Sequence, residues 1–135
     1  MRTNKLLIPF VLLVLAMFAA SCNTGEGSGG TGSIEGTVYK VLHPDDNYNL
    51  QTDTVFAAKE DVFLVYGTQQ FYGDDEEADH TGFYQFKYLR PGTYTVFTFS
   101  EDEDEISSVV AKTISVPEPD RIYTFPDTFR VNVKP

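Results

Sequence analysis

The chain has 135 residues, with 20 acidic against 10 basic side chains, 11 Phe, 8 Tyr, no Trp and a single Cys. A formal charge of −10 repels nucleic acid, which is therefore not an expected partner. One cysteine excludes a disulfide within the chain, so the fold depends on its core alone.

The first segment stands apart from the rest. Arg2 and Lys5 precede an unbroken apolar block from Leu6 to Ala20. As a helix those residues would rise only about 22 Å, at ~1.5 Å each. A permanent span needs about 20 residues. A basic start, a short apolar block and small residues at its end make a secretory signal, expected over residues 1–21. Ala19-Ala20-Ser21-Cys22 is similar to a lipobox, the cleavage and acylation site of bacterial lipoprotein precursors. The strict pattern prefers Leu where Ala19 stands, and the relaxed form resembles that of Bacteroidetes-type lipoproteins. The resemblance implies that Cys22 becomes an acylated N-terminus. Two or more acyl chains hold a protein stably on a membrane, so the expected location is the outer membrane, lipid-anchored, on its surface or periplasmic face. Removing residues 1–21 takes away Arg2 and Lys5 and leaves a mature charge of −12.

Residues 22–32 are rich in Gly, Ser and Thr and read as a flexible linker, whose ten residues would reach roughly 16–19 Å. From Ser33 to Pro135 the apolar pattern has period two, which predicts one all-β domain. Ile34, Gly36 and Val38 alternate with polar residues, while Val62–Tyr66 is apolar on both faces. Phe83–Tyr88, Thr93–Phe99, Val109–Val116 and Tyr123–Val133 are rich in aromatic and β-branched residues. His43–Asn47 marks a turn after the first strand. Arg90-Pro91-Gly92 carries the signature of a type II turn joining a hairpin. In that hairpin Phe86, Tyr94 and Val96 would be cross-strand neighbours facing one core, with Leu89 closing its end.

The run Thr81-Gly-Phe-Tyr-Gln-Phe-Lys-Tyr-Leu-Arg-Pro-Gly-Thr-Tyr-Thr-Val96 resembles a signature of carboxypeptidase regulatory-like domains and collagen-adhesin B-type repeats. The matching positions are Gly82, Tyr84, Phe86, Leu89, Pro91, Gly92, Tyr94 and Val96. The resemblance implies a seven-stranded, transthyretin-like (prealbumin-like) Greek-key β-sandwich. It also implies a non-catalytic spacer or docking role. In the adhesin relatives a Lys–Asn isopeptide bond often joins the first and last strands. Lys40 and Asn132 are the residues so placed here.

Two acidic runs, Asp74–Asp79 and Glu101–Glu105, are expected in loops. Asp74, Asp75, Glu76, Glu77 and Asp79 could supply oxygens to calcium, although the spaced calcium-loop signature is absent. Solvated loops that discourage sheet pairing are the simpler expectation. His43 and His80 are expected in turns. No nucleophile elbow, zinc-protease helix or phosphate loop occurs, so no catalytic residue and no cofactor is expected. Tyr66, Phe71 and Tyr72 could form an exposed aromatic platform. The functional expectation is a tethered binding module that docks to another envelope protein or an extracellular ligand. The alternative is a structural or calcium-binding envelope protein.

Overall fold

The computed structural model describes residues 25–44, 50–51, 53–101 and 107–133. The expected signal peptide, Cys22 and residues 102–105 of the second acidic run lie outside these. Nine strands are present among the described residues: β1 (Ser28–Leu42), β2 (Asp53–Phe56), β3 (Asp61–Tyr66), β4 (Asp74–Glu77), β5 (Phe83–Leu89), β6 (Gly92–Glu101), β7 (Ser107–Val116), β8 (Ile122–Thr124) and β9 (Phe129–Val133). They form an all-β sandwich of two sheets.

In the first sheet the long strand β1 is central. β5 and then β2 pair antiparallel along one side of it. β8 and then β9 pair parallel along the other. The second sheet runs β4-β3-β6-β7 and is antiparallel throughout. The core between them is built from inward alternate residues: Ile34 and Val38 of β1, Val62 and Leu64 of β3, Tyr84 and Phe86 of β5, Tyr94 and Val96 of β6, Phe129 and Val131 of β9. Each fully buried apolar side chain contributes about 1.5–3 kcal/mol relative to exposure.

Sequence and structure differ at three places. Nine strands replace seven because β2 and β8 have only four and three residues, and because β4 consists of Asp-Asp-Glu-Glu. Such a segment carries no apolar alternation. It is held by backbone pairing to β3, Asp74 opposite Leu64 and Glu76 opposite Val62, and its charges suit a sheet edge. The first acidic run is therefore a strand over Asp74–Glu77, not a loop.

Second, Arg90-Pro91-Gly92 does not join a hairpin. β5 pairs with β1 and β6 with β3 and β7, so the turn is an arch from one sheet to the other. Gly92 has φ of 158°, not the roughly +80° of a type II turn. Phe86, Tyr94 and Val96 do share one core, but across the sandwich. Tyr88, at φ of 60°, interrupts the alternation of β5. Lys87 and Tyr88 are both exposed, and Leu89 turns inward to close the core.

Third, Ser28–Gly32, expected in the linker, belongs to β1. Gly30 lies so close to the Leu89 carbonyl that a side chain at this position would collide with the backbone. Composition that reads as tether is here a close backbone approach. His43 follows β1, as expected, and is buried. It is 6% exposed, its Nδ1 lies 2.9 Å from the Leu50 carbonyl and its Nε2 lies 2.9 Å from Asn132 Oδ1.

Candidate functional site

Among the described residues, the outer face of the second sheet carries a group of four exposed or half-buried rings in mutual contact. On β3 and β6 the outward positions alternate with the core: Phe63 and Val65 on one, Phe97 and Phe99 on the other. Register places Phe63 directly opposite Phe97. Their rings stack at 5.0 Å and 19°. Phe99 meets Phe63 edge-on at 5.7 Å and Phe97 at 5.8 Å. Tyr72, from the segment between β3 and β4, tilts onto Phe63 at 4.9 Å. Phe71 beside it is 81% exposed, Tyr72 is 52%, Phe99 44%, and Val109 of β7, paired with Phe99, 58%. A sheet face that meets water is normally polar. Here four rings are joined by contacts, and carboxylates border them: Asp61 on β3 and Asp75 and Glu77 on β4, outward by the same alternation.

Of the three residues expected to form an aromatic platform, Tyr72 lies at this face, Phe71 is its exposed chain neighbour, and Tyr66 is not part of it. Tyr66 packs edge-on against Tyr94 at 5.9 Å. Its hydroxyl is held above the usual phenol range, first by burial and then by the Asp74 and Tyr94 charges. Phe63, Phe97 and Phe99 were the members that the sequence did not single out. Their signal was present in Val62–Tyr66, which is apolar at consecutive positions where a half-solvated strand would alternate, and in the adjacent Val96-Phe97 of β6.

The five carboxylates proposed for calcium do not converge. Strand alternation sends Asp74 and Glu76 toward the core side of β4 and Asp75 and Glu77 to the other side. Glu76 is held above the ordinary carboxyl range by desolvation first and by Asp74 and Asp75 next, with Lys87 opposing. Asp79 is committed elsewhere: its Oδ1 accepts from the Thr81 amide at 2.7 Å, the Thr81 hydroxyl at 2.7 Å and the Phe83 amide at 3.1 Å. The Thr81 hydroxyl and amide contribute most to holding the Asp79 carboxyl below its usual range. This is a turn clamp leading into Gly82, whose φ of 71° and closeness to the Val38 carbonyl exclude a side chain. Among the described residues no three His, Cys, Asp or Glu side chains are grouped as a metal would require.

Lys40 and Asn132 border one cavity of about 150 Å3 at the end of the sandwich remote from the arch. Glu60, just ahead of β3, lines it as well. The Lys40 ammonium is 3.2 Å from Glu60 Oε2. Asn132 Oδ1 faces His43, and the Asn132 backbone N–H donates to Ser100 Oγ at 2.8 Å. Glu60 is thus an acid beside this Lys–Asn pair. It came from a segment that no pattern linked to either strand.

No family model matches the sequence, and no curated protein does. The chain is similar to a solved structure from Pseudomonas aeruginosa described as a "putative carbohydrate binding protein". The two share 15% identity at a TM-score of 0.47, over 88% of this chain and 96% of that one. A likeness of that size carries no information about what this chain binds.

Proposed function

We propose that the chain is an exported lipoprotein, acylated at Cys22 and held at the outer membrane, whose β-sandwich is a non-catalytic docking module. In this reading it is a divergent relative of the carboxypeptidase regulatory-like domains, a kinship supported by the Gly82–Val96 motif around the arch. The partner is another protein of the cell envelope, and the docking surface is the outer face of the β4-β3-β6-β7 sheet.

The observation that carries this reading is the contiguous ring cluster Phe63, Tyr72, Phe97 and Phe99, left facing water. Exposed apolar patches of this kind mark interaction sites. Interfaces combine an aromatic centre with a polar rim. Here the rim is carboxylate, so the complementary surface is an apolar patch bordered by Lys and Arg.

The test is crosslinking in intact membranes, comparing the native chain with a Tyr72→Ser/Phe99→Ser double variant. Both side chains are about half exposed, so the fold tolerates the change. The native chain is expected to yield a discrete heteromeric product that the variant loses. Recovery of the uncrosslinked chain alone from both would sink the proposal. Intact mass of the same membrane-purified material reports the acyl chains on Cys22. It also reports whether Lys40 and Asn132 have lost one ammonia, and the unlinked mass is expected because Glu60 and His43 engage them.

A further inference from the structure

Among the described residues, the three most exposed large apolar side chains lie at one end of the sandwich. Phe71 is 81% exposed, Tyr88 69% and Ile122 60%. All three are at the arch end, on separate elements. Phe71 belongs to the segment 67–73 that leaves β3 beyond Tyr66, the strand partner of Tyr94. Gly67 of that segment donates to the Thr93 carbonyl at 2.8 Å. Tyr88 stands one residue before Leu89. Ile122 opens β8 opposite Ser33, next to Gly32, a partner of Leu89. Val109 and Leu50 follow in exposure. Val109 belongs to the ring-bearing face, and Leu50 lies at the other end, where its carbonyl meets His43.

Two further observations single out the arch end. Tyr88 has φ of 60°, a conformation that a bulky residue adopts only against a steric cost. Through it Lys87 and Tyr88 both face water, where alternation would have turned one of them inward. Strain of this kind concentrates at functional surfaces. The second observation is charge. Segments 26–32, 67–73, 87–92 and 117–122 build this end, and they carry Glu26, Glu118 and Asp120 against Lys87, Arg90 and Arg121. They are neutral together, in a chain whose mature charge is −12. Anionic head groups would repel the domain as a whole, but not this end of it.

The course of the chain indicates what covers these side chains. The Gly27 amide is fastened to Tyr94 at the arch, and four residues separate Gly27 from Cys22. Acyl chains on Cys22 would therefore enter a bilayer beside this end. Tyr is favoured at the membrane–water boundary, where its ring meets hydrocarbon and its hydroxyl stays wet. Pro91, Pro117 and Pro119, at the same end, have no N–H to withdraw from water.

We propose that the arch end is a membrane-contacting surface, in which Phe71, Tyr88 and Ile122 enter the boundary between head groups and acyl chains. This rests on the acylation of Cys22 proposed above. The acyl chains supply the anchorage, and the three side chains fix which end of the domain faces the bilayer.

The experiment uses the absence of Trp from the chain, which lets a single Trp report its own surroundings. Phe71→Trp, Tyr88→Trp, Ile122→Trp and, at the opposite end, Leu50→Trp are purified from membranes and their intact masses recorded. Each replaced side chain is more than half exposed, so the fold tolerates the change. The chains are reconstituted into phosphatidylethanolamine–phosphatidylglycerol vesicles with acyl chains brominated near the head groups. Trp at 71, 88 and 122 is expected to be blue-shifted and strongly quenched, and Trp at 50 to be neither. Hydroxyl-radical labelling of the unsubstituted chain in the same vesicles guards against insertion driven by Trp itself. Phe71 and Tyr88, although more exposed than Phe56 in the free fold, should be labelled less than it. Acylated chains whose two ends are quenched alike, or labelling that follows the order of exposure, overturns this inference and leaves the acylation standing. Masses without acyl chains end the acylation reading, and this inference with it.

Discussion

The two ends of the sandwich are closed by different means. Strand β6 runs from one to the other, and its inward residues change character on the way: Tyr94 and Val96 first, then Thr98 and Ser100, all 5% exposed or less. At the arch end the Tyr94 hydroxyl donates to the Arg90 carbonyl, four residues back, at 2.6 Å. It accepts from the Gly27 amide at 3.0 Å, and the Arg90 amide donates to the Gly27 carbonyl at 2.9 Å. This is the logic of the tyrosine corner of β-sandwiches, with Leu89 sealed beneath it. At the far end Thr98 donates to the Asp61 carbonyl at 2.9 Å, Ser100 accepts from Asn132, and Lys40 pairs with Glu60. One end is shut by apolar packing around a single phenol, the other by a network of small polar groups and one ion pair. The contrast teaches that a sandwich needs a dry seal at only one end, provided that every polar group at the other finds a partner.

Substitutions at the two ends should separate these mechanisms. Leu89→Ala is expected to have the largest effect, about 2–5 kcal/mol, because a fully buried side chain leaves a cavity under a fixed arch. Denaturant melts would measure it, and a loss below 1 kcal/mol would mean that the arch collapses freely. Tyr94→Phe should cost about 1–3 kcal/mol by stranding the Gly27 amide and the Arg90 carbonyl, read as a drop in thermal midpoint. Lys40→Met, at the polar end, should cost under about 1 kcal/mol, since both partners of its ion pair are partly exposed. That small difference should shrink further in high salt. A loss as large as that of Leu89→Ala would erase the distinction between the ends.

The same contrast explains what was legible in the sequence. Leu89, Tyr94 and the arch lie within fifteen residues of one another, so a local motif could mark them. The inward faces of β1, β3 and β6 followed from period-two alternation. What failed was the inference from adjacency to pairing: β5 and β6 are consecutive, yet they belong to opposite sheets because Tyr88 and Gly92 redirect the chain. At the polar end His43 and Asn132 are 89 residues apart and Thr98 and Glu60 are 38 apart. Hydrogen bonds over such separations leave no spacing in the sequence. The aromatic face was half visible, since a run apolar on both sides of a strand signals a second contact surface without saying which rings will meet. Tyr84 was named as a motif position, but no residue pattern announces that its hydroxyl is buried without a partner.

Because β1 is already paired at Ser28 and Gly27 is fastened to the arch, only Asn23–Glu26 separate Cys22 from the folded body. At about 3.3–3.6 Å per residue that is a leash of under roughly 20 Å even when taut. On the proposed acylation of Cys22, a domain moored so closely would ride with its arch toward the head groups. Lys40, His43 and Asn132 would then crown the side most distant from the bilayer. The ring-bearing face would stand upright, where a neighbour in the same leaflet could meet it by lateral diffusion alone.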